Sequence, residues 1–295
     1  MKRAWFFVFI SVYLCLCLLA SCAASGGNEG EEPPAEESGE STVVCRVISQ
    51  QDGTLLLAGT DEGTGLYQLH PEADVLTVDG AAFDPAAPDA YAAFPESSLV
   101  GAVASVRYDG GIQESWPMGF SGVTGVDISS TEGFNDLCGL YLQVLEDLWS
   151  VDAGLNNDIT TVGVDLSCTR LSPGERSAVA YAFGVSHGVT AVEGTWDELV
   201  EQGYITGEAL EGGGDAQFYQ WEDGCLFAIE ESDEPAAVNM PALGPGETAP
   251  GYDAVAFDAS KWRSSLGAYM FTDCSAVSDG GGHWDGYTVG AEMIS

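Results

Sequence analysis

The sequence predicts an α+β protein: a small N-terminal β-barrel over residues 43–128, then an α+β domain over residues 132–295 with helices first and an antiparallel sheet at the C-terminus. Three observations lead there. Short apolar runs separated by Asp-Gly turns fill the first half, apolar residues at helical spacing begin at Leu137, and strand-length apolar runs return after Cys225. Helices followed by strands favour α+β over a doubly wound parallel sheet.

The chain starts with a leader. Lys2 and Arg3 precede an almost unbroken apolar run over residues 5–20, which closes on Leu19-Ala20-Ser21-Cys22. That run falls short of the ~20 residues of a membrane span and has a basic front and a small-residue end, so residues 1–21 read as a secretory signal peptide. Leu-Ala-Ser-Cys resembles a bacterial lipobox, which implies cleavage before Cys22 and a diacylglyceryl thioether on it. Two acyl chains suffice for stable anchoring. The expected address is therefore the cell membrane, lipid-anchored on its extracytoplasmic face. Residues 22–42 are rich in Glu, Gly and Pro, with no Lys or Arg, and read as a flexible acidic tether.

Charge narrows the partners. The chain carries 46 Asp and Glu against 8 Lys and Arg, a net charge of −38, and Lys2 and Arg3 leave with the leader. Binding to nucleic acid needs Lys and Arg against phosphates, so no nucleic-acid partner is expected. Acidic glycopolymers and anionic lipid surfaces are repelled as well. With Cys15, Cys17 and Cys22 set aside, Cys45, Cys138, Cys168, Cys225 and Cys274 remain. Their number is odd, their spacings are wide and no CxxC occurs, so bridged and unbridged thiols both stay open. His70, His187 and His283 lie far apart without zinc-ligand spacing, and neither a metal nor a cofactor is expected.

In the first unit, Val43-Val44-Cys45-Arg46-Val47-Ile48 and Thr54-Leu55-Leu56-Leu57-Ala58 flank Gln51-Asp52-Gly53 as a hairpin. A second hairpin is expected from residues 99–108 through Asp109-Gly110-Gly111 to residues 112–116, and residues 123–128 close the unit. Residues 81–95, rich in Ala and Pro, read as a surface loop. Barrel closure would hide the sheet edges. Val100-Gly101-Ala102-Val103, Val106-Arg107-Tyr108-Asp109-Gly110 and Glu114-Ser115-Trp116-Pro117 resemble a small OB-like barrel domain of unknown function found in Gram-positive secreted lipoproteins. The resemblance implies that fold and a cell-envelope address, and no catalytic residues.

In the second unit, Leu137, Leu140, Tyr141, Val144, Leu145, Leu148 and Trp149 mark an amphipathic helix. Residues 161–167 read as a buried strand. Ser172-Pro173-Gly174-Glu175 combines an N-cap, a proline at N1 and a capping-box glutamate, starting a helix to about Ser186. Thr195-Trp196-Asp197-Glu198 repeats the device, with Gly203 as its stop. Residues 225–230, 254–258, 268–273 and 284–294 form the expected terminal sheet, and residues 232–251 an inserted loop. Asp165-Leu166-Ser167, Gly194-Thr195-Trp196-Asp197-Glu198-Leu199, Gly203-Tyr204-Ile205 and Lys261-Trp262-Arg263-Ser264-Ser265-Leu266-Gly267-Ala268-Tyr269 resemble an uncharacterised family of clostridial and actinobacterial lipoproteins, which implies no particular chemistry.

Nucleophile and acid–base candidates are Asp165, Ser167, His187, Asp273, Cys274 and His283, none of them inside a catalytic motif. His187 before Gly188 suits a helix end. The Gly-rich segment 279–285 lacks calcium-loop spacing and reads as a turn. Lys261-Trp262-Arg263 holds two of the few bases, suited to internal ion pairs or to a ligand carboxylate. The expected function is a membrane-anchored envelope lipoprotein that binds a small ligand or an envelope protein without catalysis, with Lys261, Trp262 and Arg263 as ligand-binding residues. The alternative is an envelope enzyme, a hydrolase or folding factor, using His187 or Cys274.

Overall fold

The computed structural model describes residues 39–60, 65–94, 98–210, 217–232 and 253–295. The leader, Cys22, most of the tether and all of the expected 232–251 loop except Ser232 lie outside the described residues.

β1 (Ser41–Gln51) and β2 (Thr54–Gly59) form the first hairpin. Asp52 and Gly53 both sit at positive φ, 49° and 76°, the left-handed pair that a two-residue primed turn needs. β3 (Leu66–Leu69), β4 (Leu76–Val78), β5 (Ala81–Ala82), β6 (Val103–Tyr108) and β9 (Val123–Ser129) complete a sheet in the order β3-β2-β1-β6-β9-β4-β5. This sheet curls into a half-barrel, and β3 and β5 end it without pairing with each other. The second hairpin differs from expectation. β6 pairs with β1 and β9, while β7 (Ile112–Gln113) pairs with β8 (Gly119–Phe120) in a separate ribbon. Burial explains the choice: β6 buries Ala104, Val106 and Tyr108 on one face, β9 matches it with Val126 and Ile128, and both residues of β7 are exposed.

The second sheet overturns the expected α+β order. Its elements are α1 (Leu137–Ser150), a 3-10 turn (Ala153–Asn156), β10 (Thr161–Asp165), α2 (Pro173–His187), β11 (Thr190–Glu193), α3 (Trp196–Glu201), β12 (Thr206–Ala209), β13 (Gln217–Gln220), β14 (Gly224–Glu231), β15 (Ala254–Ser264), β16 (Gly267–Val277) and β17 (Ala291–Ile294). The sheet order is β11-β10-β14-β15-β13-β12, with β16 on β15 and β17 on β16. β10 runs parallel to both β11 and β14, and α2 is the crossover between β10 and β11. The described residues are mostly β, 44% strand against 17% helical, with three α-helices. The protein is therefore a β-rich fold with a half-barrel and a mixed sheet, not a closed barrel followed by helices and then an antiparallel sheet. Sequence order misled because strand partners are non-local: residues 161–165 read as an isolated strand among helices, yet they lie beside β14, some sixty residues on, in the same sheet.

The local helix signals hold. Ser172 and Thr195 each accept from the N–H three residues on, and Glu175 and Glu198 reach back to their cap N–H groups. Gly188 caps α2 at φ 66°, the left-handed geometry that glycine adopts without strain.

Core side chains divide between the layers in an informative way. Val47, Leu55, Leu57, Tyr67 and Leu69 fill the half-barrel. Ile48, Leu56, Ala58 and Leu66, from the same three strands, join the core built by α1, α2, β10 and β14–β16. α2 thus packs on β1–β3 on one side and on β10 and β11 on the other. Its small side chains make that possible: Ala178, Ala180 and Gly184 are buried, and a Cβ on Gly184 would come 2.8 Å from that of Ala191.

Candidate functional site

A cleft of about 600 Å3 opens where the β1–β2 hairpin meets α1 and α2. It falls in the ~300–1,000 Å3 range of small-ligand sites. Its floor follows from strand register: Ser49 and Gln68 stand directly opposite Leu56 on either side, forming a cross-strand row, with Gln51 opposite Thr54 beside it. A bulge between Val47 and Ser49 resets the alternation of β1, so Val47 and Ile48 are both buried, in different cores. The opposite wall is helical, with Leu142 and Glu146 from α1 and Tyr181, Val185 and Ser186 from α2.

Glu146 is the best-held charged group of the cleft. Ser186 Oγ donates to its Oε1 at 2.7 Å, and His187 Nε2 lies 2.9 Å from its Oε2, off the hydrogen-bond axis. The His187 ring stacks on Trp149 with centroids 3.7 Å apart. His187 therefore has a carboxylate and an aromatic face as neighbours at the end of α2. The one hydroxyl of this cluster, Ser186 Oγ, turns to Glu146 and the Phe183 carbonyl rather than to the imidazole, so no nucleophile–base pair of the Ser–His kind is formed.

The remaining acid–base candidates lie on separate elements. Asp165 ends β10 and accepts from the N–H and Oγ of Ser167, at 3.0 and 2.6 Å, in a local turn. Together with Arg176, Glu193 and Glu198 they line a smaller cleft of about 420 Å3 at the carboxyl ends of β10 and β11, and each of its carboxylates is held by its own neighbours: Glu193 by Ser177 at 2.6 Å, Glu198 by Thr195 at 2.8 Å. Asp273 and Cys274 sit on β16. Cys274 is buried in the helix-covered core, and burial pushes its thiol up to about 12, which keeps it protonated and a poor nucleophile. His283 packs on Phe134, centroids 4.1 Å apart, inside a turn held by Asp279, which accepts from Gly281 and His283 N–H groups. Those backbone donors hold the Asp279 carboxyl below its ordinary value. Among the described residues no group of three His, Cys, Asp or Glu is arranged to hold a metal, and Cys138, Cys168, Cys225 and Cys274 form no disulfide.

Lys261, Trp262 and Arg263 occupy β15, and among the described residues neither cation forms an ion pair with a carboxylate; both bind main-chain carbonyls instead. The Lys261 amine is completely buried and donates to Val151 O, to Asp152 O at 3.2 Å and to Asn156 Oδ1 at 3.3 Å. Burial lowers its pKa. Arg263 donates to the carbonyls of Leu155, Asn157 and Glu222 at 3.0, 2.6 and 2.7 Å. Both cations thus bind main-chain carbonyls of the turn at residues 151–157 that follows α1, and Arg263 adds that of Glu222 before β14, tying β15 to both segments. Trp262 stands edge-on to Trp196, centroids 4.4 Å apart.

Sequence reading missed Gln51, Thr54, Gln68 and Tyr181. Their signal was faint: Gln68 is the single polar residue within Leu66-Tyr67-Gln68-Leu69, and its meaning depends on which element covers that face. Among the described residues no helix is long and apolar enough to cross a membrane. Comparison of the chain with protein-family models, with curated proteins and with solved structures finds no match to any of them.

Proposed function

We propose that this chain is an envelope lipoprotein, held by acyl chains on Cys22 at the extracytoplasmic face of the cell membrane, that captures a small ligand without transforming it. The observation that carries the reading is the cleft between β1–β3 and the two helices, whose polar lining combines amides and hydroxyls on the strand floor with an immobilised Glu146 on the helical wall. Capture is favoured over catalysis by the chemistry of the two enzyme candidates: the Cys274 thiol is held protonated by burial, and His187 faces a carboxylate and an indole instead of a nucleophile. The basic front and apolar run of residues 1–21, the lipobox-like Leu19-Ala20-Ser21-Cys22 and the acidic residues 22–42 support the address. The net charge of −38 argues against nucleic acid as a partner.

Two measurements test this. Fractionation of expressing cells should find the wild-type chain with the membrane and Cys22→Ala in the medium or unprocessed; wild-type protein in the soluble fraction would end the anchoring proposal. For capture, any ligand co-purifying with the protein should be recovered chemically unchanged after prolonged incubation. Turnover that disappears in His187→Ala would restore the enzyme reading.

A further inference from the structure

The walls of the proposed capture cleft also select a ligand class, an inference that rests on the capture reading above. Among the described residues no cationic side chain lines the cleft, whereas Glu146 and Asp52 do, so an anionic ligand would meet repulsion. Polar chemistry is nevertheless plentiful. Gln68 projects from the covered face of β3 opposite Leu56, and Gln51 ends β1 on that same face, opposite Thr54. Each Glu146 oxygen is oriented by a fixed neighbour, Ser186 or His187, and retains acceptor capacity beyond that contact. Tyr181 supplies an aromatic surface on the same helical wall as Glu146, across from the strand floor.

A rigid carboxylate offers two adjacent acceptors, and a primary amide offers a donor beside an acceptor. Both spacings match neighbouring hydroxyl groups on one ring, while the apolar face of such a ring can pack on a tyrosine. An extended peptide is the poorer fit, because strand addition needs free backbone donors and acceptors, and this cleft lies on the face of strands whose backbones are already paired with one another. We infer that the cleft is a saccharide site, taking an uncharged, hydroxyl-rich glycan segment through a vicinal diol on Glu146, amide contacts from Gln51 and Gln68, and packing on Tyr181.

The test uses the full-length lipidated protein in detergent, probed with neutral gluco-, manno-, galacto- and xylo-oligosaccharides beside sulfated and uronate-containing ones, and with a pool of uncharged peptides. Neutral glycans should bind, and Tyr181→Ala, Gln68→Ala and Glu146→Gln should each weaken that binding about tenfold or more at unchanged melting temperature. Tyr181→Phe, which keeps the ring and guards against a folding artefact, should retain most of it. Preference for the charged glycans, or variants that bind neutral glycans as well as wild type, would overturn the assignment. Peptide binding lost in Tyr181→Ala, with no glycan bound, would overturn the saccharide class and leave capture standing; binding of neither probe would remove both.

Discussion

Two arms of the same sheet behave differently. Strand β2 buries Leu55, Leu56, Leu57 and Ala58 in succession, whereas β6 alternates, with Ala104, Val106 and Tyr108 buried and Val103, Ser105 and Arg107 half-exposed. The cause is coverage. α2 lies on β1–β3, so that arm has two dry faces, and the arm running through β6 and β9 keeps one face wet. A continuous apolar run is what double burial requires, and alternation is what a half-solvated strand requires. The same contrast separates two arginines. Arg46 on β1 reaches Glu175 of α2 at 2.8 Å with both side chains 14% exposed, and also donates to the carbonyls of Gly101, Gly133 and Asn135. Arg107 on β6 pairs with Asp127 at 2.9 Å, with 40% and 49% exposure. One joins layers, and the other decorates a surface.

Alkali should break the covered side of the comparison most severely. Cys138, Tyr141, Cys225 and Cys274 all lie in the α1–α2 core, and burial raises every one of their pKa values. The folded state therefore holds protons that the unfolded chain releases above pH 9.0 for thiols and 10.0 for tyrosine, so the stability these groups contribute is intact below that range and is lost as pH rises through it. Lys261 works in the opposite direction, because its folded pKa is lowered and stability rises with pH up to its ordinary 10.5. Chemical denaturation across this window should give a falling midpoint. A flat profile would mean that the core thiols and Tyr141 are hydrated.

Arg46→Met comes next, at about 3–5 kcal/mol as an upper range, since it strands Glu175 and three carbonyls in a partly buried site. Arg107→Met should cost about 0–1 kcal/mol. Equal urea midpoints for the two variants would cancel the distinction between the arms. Leu66→Ala, under α2, should cost about 2–5 kcal/mol through the cavity it leaves, while Ser105→Ala on the wet face of β6 should stay within about 0.5 kcal/mol. Gly184→Ala sharpens the picture from the helix side. The added methyl would meet Ala191 and the backbone around Val189 at 2.8–3.0 Å, and overpacking of this kind costs about 1–3 kcal/mol. A Gly184→Ala variant as stable as wild type would show that α2 can lift from β11 without penalty.

Legibility followed sequence distance. The α2 and α3 capping boxes, the Asp52-Gly53 turn and the apolar stripe of α1 are set by residues three or four apart, and each appears where the chain implies it. The second hairpin failed because Ile112 and Gln113 looked adjacent to β6 in sequence, while burial gave β6 the more distant β9. Cys274 and His187 were visible as candidates, but not the burial that holds one protonated or the Glu146 and Trp149 that surround the other.

By itself the sequence determined the local vocabulary: the caps, the primed turn, the uninterrupted Leu-Leu-Leu-Ala of β2, the strong negative charge and the scarcity of cations. Only the tertiary structure decided that β10 sits between β11 and β14, that α2 lies between two sheets, that Lys261 and Arg263 hold main-chain carbonyls, and that Gln68, Glu146 and Tyr181 share one cleft. The physical reason is that capping and turn energies depend on neighbours along the chain. Strand pairing and the choice of which face stays dry depend on burial between segments far apart in sequence, and a one-residue change of register, such as the bulge at Val47 and Ser49, redirects every side chain beyond it.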